Sequence, residues 1–385
     1  MVLALDRIAF SIGSLSVTWY GIILAFAALA GLNLAILEGK RFGIIPDFFM
    51  DLLLVGVPSA IVGARIYYVA FKWEDYRSNF VDVFKIWQGG IAFYGALIGA
   101  LIGAYFYIKA KGYNFTRIVD ICAPSLLLGQ IIGRWGNFMN QEAYGGEVSE
   151  SFLRHTLHLP AFIVNQMLVV DISGTAAYHH PTFLYESLWN LVGLLILLWL
   201  RRRPFLRAGE LFSSYLIWYS TGRFFIEGLR TDSLVFAGPG WLAKLMNGLW
   251  SPMKLLFEPG AMEAGKNVRV SQLLAVLLVV AAIALIIWRR KTGRAHVRYL
   301  DPIASTRAVV PAAEGPVADG GEDAITETQP QAETPAEEIA EAEIPARAGT
   351  LPRDEGDDAE ADGRADAEVD LAAADDPADP EKKPE

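Results

Sequence analysis

The sequence predicts an all-α polytopic membrane protein, with about seven transmembrane helices, small extracytoplasmic cap segments and a disordered acidic C-terminal tail. Three observations predict this. The 385-residue chain is 53% hydrophobic, with a mean hydropathy of +0.31, too apolar for an ordinary soluble domain of this length. Its apolar residues gather into runs of about 20, the length that crosses a bilayer core. Charge divides the chain: residues 301–385 hold 25 acids and 6 bases, whereas residues 1–300 hold 18 acids and 27 bases. Two physically different pieces are joined.

The candidate spans are 17–37, 48–71, 91–110, 118–135, 183–200, 210–228 and 270–288, of which the fourth and sixth are the most polar. Alternation puts Lys40, Arg41, Lys109, Lys111, Arg117, Arg201, Arg202, Arg203, Arg207, Arg289, Arg290 and Lys291 on one side. Short, densely basic loops are cytoplasmic, so the N-terminus is expected outside and the C-terminus inside. No basic n-region with a small-residue cleavage site precedes the first run, which is expected to stay as an anchor. Segments 72–90, 136–182 and 229–269 face the other side, the last two as caps with interfacial elements. Residues 1–299 are expected to form the membrane domain. Residues 300–385, rich in Ala, Glu, Asp and Pro, lack the apolar surface to offset chain entropy. The single cysteine, Cys122, permits no intrachain disulfide and no cysteine metal site. In an apolar run it reads as packing.

Against this background, "GRWGNFMNQEAYGGE" at 133–147 is anomalous. An arginine or asparagine at membrane depth costs on the order of 3 kcal/mol, so such residues default to function. As a helix, Arg134, Asn137 and Gln141 share a face. Gly133 and Gly136 let a helix or headgroup approach, and Gly145 and Gly146 end the segment. The bland reading is a polar helix end bonded to its neighbours.

A second cluster, "YSTGRFFIEGLR" at 219–230, puts Tyr219, Arg223, Glu227 and Arg230 on one helical face. Arg230 leaves that face net cationic, and with Arg134 it offers guanidinium groups suited to the phosphate of an anionic phospholipid. The alternative is a structural ion-pair network. Tyr20 of "WYG" opens the first span. Tyr94 lies in "GGIAFYGALIG", whose Gly95, Gly99 and Gly103 have close-packing spacing. "YHHPTFLYE" at 178–186 brings His180, Tyr185 and Glu186 to the same level. Adjacent His179 and His180 make a poor metal pair, and no metal site is expected. Arg65 lies deep in the second span and needs a partner.

"GRWGNFMNQEAYG" resembles the signature G-R-x-G-N-F-x-N-x-E-x-x-G of the bacterial phosphatidylglycerol–prolipoprotein diacylglyceryl transferases. "WYG", "GGIAFYGALIG", "HPTFLYE" and "GRFFIEGLR" follow in the expected order, over about residues 8–290. The resemblance implies a seven-span enzyme of the bacterial cytoplasmic membrane. It moves the diacylglyceryl group of phosphatidylglycerol onto the thiol of a lipobox cysteine in a prolipoprotein, forming a thioether and releasing glycerol 1-phosphate. No metal, soluble cofactor or nucleic acid is implied. Arg134, Asn137, Asn140, Glu142 and Gly145 fall on the signature, and Tyr20, Arg223, Glu227 and Arg230 on other positions resembling functional sites. Many members carry a histidine, a proposed base, where this chain has Tyr94.

The expected roles follow. Arg134 and Arg223 clamp phosphate, and Asn137 and Asn140 orient the headgroup. Glu142 and Glu227 hold the arginines, Tyr20 and Tyr94 hydrogen-bond headgroup or thiol, and His180 is a candidate proton acceptor. A transporter would show internal repeats with matching broken helices, and the clusters at 133–147 and 219–230 do not resemble each other. No GxSxG elbow or paired membrane aspartates support an intramembrane protease. A partner-binding assembly factor would show no lipid-dependent turnover.

Overall fold

The computed structural model describes residues 5–13, 15–77, 79–170, 174–255, 257 and 267–303. Of the expected tail, residues 300–385, only 300–303 are among the described residues.

Seven long helices carry the fold: α1 Trp19–Lys40, α2 Pro46–Phe71, α3 Phe93–Ala110, α4 Phe115–Asn140, α5 Thr182–Leu200, α6 Glu210–Glu227 and α7 Val270–Lys291. All except α6 are long and apolar enough to cross a membrane. Helix α6 carries Glu210, Arg223 and Glu227 within 18 residues; it is the sixth expected span, one of the two most polar. Local chemistry sets the boundaries. The Thr18 side chain accepts from the Gly21 N–H to start α1, Asn114 does the same for α4 through Thr116, and Pro46 occupies the first turn of α2.

Packing follows the small residues. A Cβ on Gly95 or Gly99 of α3 would overlap the α2 backbone at Gly63 or Ser59, so these helices touch backbone to backbone. Helix α1 runs along α4, where Gly31 meets the Ser125 carbonyl and Gly136 lies under the Tyr20 ring. The apolar side chains left exposed, such as Phe26, Leu54, Ile66, Phe106 and Leu195, are the face a bilayer would cover.

Beyond the helix ends opposite the basic loops lie short caps. Leu168–Val170 and Glu147–Val148 both pair antiparallel with Ala176–His179. Val235–Ala237 pairs with Asn267–Arg269, and the helix Gly240–Trp250 buries Ala243, Met246 and Trp250. Among the described residues Arg65 pairs with no carboxylate. Its guanidinium donates to the carbonyls of Asp82, Val83, Gly89 and Gly90 at 2.6–2.8 Å, so it holds the loop between α2 and α3.

The basic end is tied by buried acids. Glu38, 1% exposed, accepts from Arg41 and from the Tyr299 hydroxyl at 2.7 Å and pairs with Arg201 at 2.9 Å. Arg117 donates to the carbonyls of Arg298 and Asp301. Arg207 bridges to Arg298. The segment after α7 is therefore a strap across the helix ends, with Tyr299 buried in one apolar cluster beside Leu197 and Leu211 and Ile303 packed against a second, around Phe48 and Ile118. Truncation after Ile303 is expected to leave the melting temperature in detergent within about 2 °C of the full chain, whereas Tyr299→Ala, which empties a buried ring site, is expected to cost on the order of 3 kcal/mol. Thermal unfolding of the two variants checks this.

Candidate active site

Opposite the basic end, three helices meet at a carboxylate. Glu186, on the first turns of α5, is 3% exposed. One oxygen pairs with Arg134 of α4 at 2.5 Å, and the other faces Arg223 of α6 at 3.7 Å. Arg223 also reaches Glu227, one turn further along α6, at 2.7 Å. Tyr219 stands beside Arg134, Arg223 and Glu186. Arg134 is in turn 3.4 Å from the Asn137 amide oxygen, and the Asn137 amide donates to Glu142 at 2.8 Å. The network runs Glu142–Asn137–Arg134–Glu186–Arg223–Glu227.

Donors remain. The Arg223 Nη1 atom is buried, 3.7 Å from Glu186, and makes no hydrogen bond among the described residues. Arg134 makes a long Nη1 contact to Asn137 and a side-chain hydrogen bond with Tyr219. A guanidinium offers five N–H groups, so both arginines keep capacity for an oxyanion while their orientation is fixed. Both side chains are 19% exposed, open enough to meet a ligand and buried enough that a charge contact is poorly screened.

Two expectations about faces are corrected. Helix α4 ends at Asn140. Gln141 follows in the left-handed region, with φ 53°, and its amide turns away to the carbonyls of Gln166 and Leu168. It does not share the Arg134 face. Helix α6 ends at Glu227, so Arg230 lies beyond it and is clamped by Asp232 at 2.8 and 2.6 Å. The excess positive charge expected from Arg230 is offset by that carboxylate. Asp232 is two residues past the quoted motif.

Gly145 and His180 belong to one junction. The Gly145 N–H donates to the His180 carbonyl, the His180 N–H to the Gly146 carbonyl, and the Gly146 N–H to the Leu229 carbonyl. A Cβ at Gly145 would sit 2.7 Å from the His180 Cβ. Three segments thus meet where only glycine fits. His179 Nδ1 lies 2.8 Å from the Gly145 carbonyl, and His180 Nδ1 lies 3.2 Å from the Tyr185 hydroxyl. Burial, then the neighbouring His179, pushes the His180 pKa down to about 4. Such an imidazole stays neutral at physiological pH and is a weak base there. The depressed value means that the unfolded chain binds more protons between about pH 4 and 6.5. Stability linked to His180 is therefore complete above about pH 6.5 and falls as pH drops toward 4. The melting temperature should fall more steeply over that window in the wild type than in His180→Gln.

The remaining predicted residues divide. Tyr20 packs its ring on Gly136, near Arg134 and Glu142, so it borders the cluster. Asn140 closes α4, and its side chain makes no hydrogen bond among the described residues. Tyr94 makes no hydrogen bond or ring contact with the cluster among the described residues. It sits on α3, 36% exposed, with its ring against Phe93 and its hydroxyl without a partner among the described residues. Glu186, expected from the sequence only as a polar group at the level of His180 and Tyr185, is the carboxylate that joins the two arginines. Two further residues, not among the expected ones, support α6: Arg269, which is 2% exposed, donates to the Glu227 carbonyl, and Gln272 donates to the Phe224 carbonyl at 3.0 Å. A polar residue opening an otherwise apolar run was the available signal for both.

The family model for prolipoprotein diacylglyceryl transferase matches residues 7–288. A phosphatidylglycerol–prolipoprotein diacylglyceryl transferase of Bacillus cereus (strain B4264) is 50% identical over 297 residues, 77% of this chain and 97% of that protein. The protein of the same description from Geobacillus kaustophilus (strain HTA426) is 48% identical over 297 residues, with the same shares of each chain.

Proposed function

We infer the chemistry of this chain from one premise: it belongs to the prolipoprotein diacylglyceryl transferase family. It is a multi-pass membrane transferase that moves the diacylglyceryl group of phosphatidylglycerol to prolipoproteins, the first step of lipoprotein maturation. We propose that the arginine cluster performs the transfer on a lipobox cysteine, at the outer face of the bacterial cytoplasmic membrane. In this reading the N-terminus and caps lie outside, and the basic strap and acidic tail lie inside.

The phosphate of phosphatidylglycerol lies between Arg134 and Arg223, with Asn137 and Asn140 toward the glycerol headgroup and Tyr20 beside them. The cysteine sulfur attacks the diacylglyceryl carbon that carries the phosphate ester. A C–S bond forms, the C–O bond breaks, and its electron pair leaves on glycerol 1-phosphate. Charge grows on that oxygen in the transition state, where preorganised donors act most strongly. The thiol has a few per cent thiolate at neutral pH, and the cationic pair raises that fraction. The released proton goes to the departing phosphate or to solvent. Glu186, Glu227 and Glu142 orient the donors, and Gly145, His180 and Arg230 hold the junction beside them.

The buried Arg223 Nη1 atom, 3.7 Å from Glu186 and without a hydrogen bond among the described residues, is the observation that supports this reading most. The test is to incubate the purified protein with phosphatidylglycerol and a lipobox peptide. The expected result is a diacylglyceryl mass gain on the cysteine with release of glycerol phosphate, neither of which occurs with a Cys→Ser peptide. A general base contributes about 10²–10⁴-fold. Tyr94→Phe is expected to cost under about tenfold in the same assay, since no proton acceptor at that position is required. Loss of all transfer in Tyr94→Phe would restore that residue as the base.

A further inference from the structure

The two helices that present Glu186 and Arg223 carry the same five-residue pattern, "WNLVG" at 189–193 on α5 and "WYSTG" at 218–222 on α6. They meet reciprocally. The Trp189 indole N–H donates to the Trp218 carbonyl at 3.0 Å, and the Trp218 indole N–H to the Trp189 carbonyl at 2.9 Å. The rings stack with centroids 4.4 Å apart and planes 18° from parallel. Each ring lies over the other helix's glycine: a Cβ on Gly193 would overlap Trp218, and one on Gly222 would overlap Trp189. Without those glycines neither ring could reach the opposing backbone.

The crossing lies next to the ion pairs. Trp189 is one turn from Glu186 on α5, and Gly222 immediately precedes Arg223 on α6. Glu186 must reach Arg134 on α4 and Arg223 on α6 at once, and its 3.7 Å separation from Arg223 is the longest of these ion pairs. That distance depends on how close α5 and α6 lie at this level. Indole N–H bonds to helix carbonyls fix both spacing and register, which apolar contact alone would leave free to slide. We propose that the reciprocal Trp189–Trp218 clasp positions Glu186 against Arg223 and so sets the rate of the group-transfer step. This rests on the functional reading above. Both tryptophans are positioning residues, one helical layer away from the reacting atoms.

Trp189→Phe and Trp218→Phe keep an aromatic ring and remove one indole N–H each. Three measurements test the clasp. Stacked indoles give an exciton couplet in circular dichroism, expected in the wild type and lost in either variant. Turnover is expected to fall about tenfold with KM for phosphatidylglycerol within about twofold, the signature of misorientation rather than lost binding. The third is a thermal-stability cycle that needs no activity. The drop in melting temperature caused by Glu186→Gln is expected to be smaller in the Trp189→Phe background, because coupled positions are non-additive. Unchanged turnover after loss of the couplet, absence of the couplet in the wild type, or additive melting shifts would each overturn the proposal. If the wild type transfers nothing, the functional reading fails and the stability cycle still decides the clasp.

Discussion

Arg134→Gln is expected to lower the turnover number about 10²-fold or more, because removing one preorganised donor to a developing oxyanion costs about 10²–10³. Arg134 is held at 2.5 Å by Glu186 and at 3.4 Å by Asn137, so its remaining N–H groups are aimed before any ligand arrives. Glutamine can still reach toward Glu186 but carries no charge and cannot form the paired bonds of a guanidinium. Arg134→Lys restores the charge without the fork, and is expected to recover only part of the lost rate. Turnover at saturating phosphatidylglycerol, measured beside thermal unfolding of the same preparations, checks both variants. Equal recovery by lysine would mean that net charge suffices and geometry does not matter.

Glu186→Gln is expected to produce the other large effect, with a different signature. The carboxylate is buried between two arginines, and breaking a buried pair typically costs about 3–5 kcal/mol because an uncompensated charge remains. The melting temperature should therefore fall. The site becomes more cationic, so attraction for an anionic headgroup is not lost. KM for phosphatidylglycerol should not rise, whereas turnover should fall about tenfold or more as the guanidinium groups move apart. A raised KM with normal turnover would instead make Glu186 a direct headgroup contact.

The helical frame was legible because lipid imposes it: spans must be long, apolar and internally hydrogen-bonded. The glycines at 95 and 99 announced a close-packing face by spacing, though only the fold shows that α2 is its partner, and the site gave its location through residues too polar for their surroundings. Partners were less legible. Glu186 became central only because α4 and α6 both lean on α5, and no one-dimensional pattern contains that meeting. Arg65 needed acceptors, and the fold met the need with four loop carbonyls rather than the acid a charge argument would look for. Gln141 and Arg230 were misplaced because helical periodicity was carried past the last turn, where the left-handed Gln141 and the turn after Glu227 redirect the chain. Gly145 carried a signature position, and the structure gives it a steric reason in the crowded junction with His180.

The central claim is that the phosphate of phosphatidylglycerol sits between Arg134 and Arg223. Dipolar recoupling between ³¹P of the lipid and ¹⁵N of labelled arginine, in proteoliposomes of this protein, tests it most directly. A short-range phosphorus–guanidinium contact that persists in Arg117→Lys, at the basic end, and disappears in the folded Arg134→Gln/Arg223→Gln protein is the predicted result. A contact unaffected by the double substitution would put the headgroup elsewhere and contradict the account.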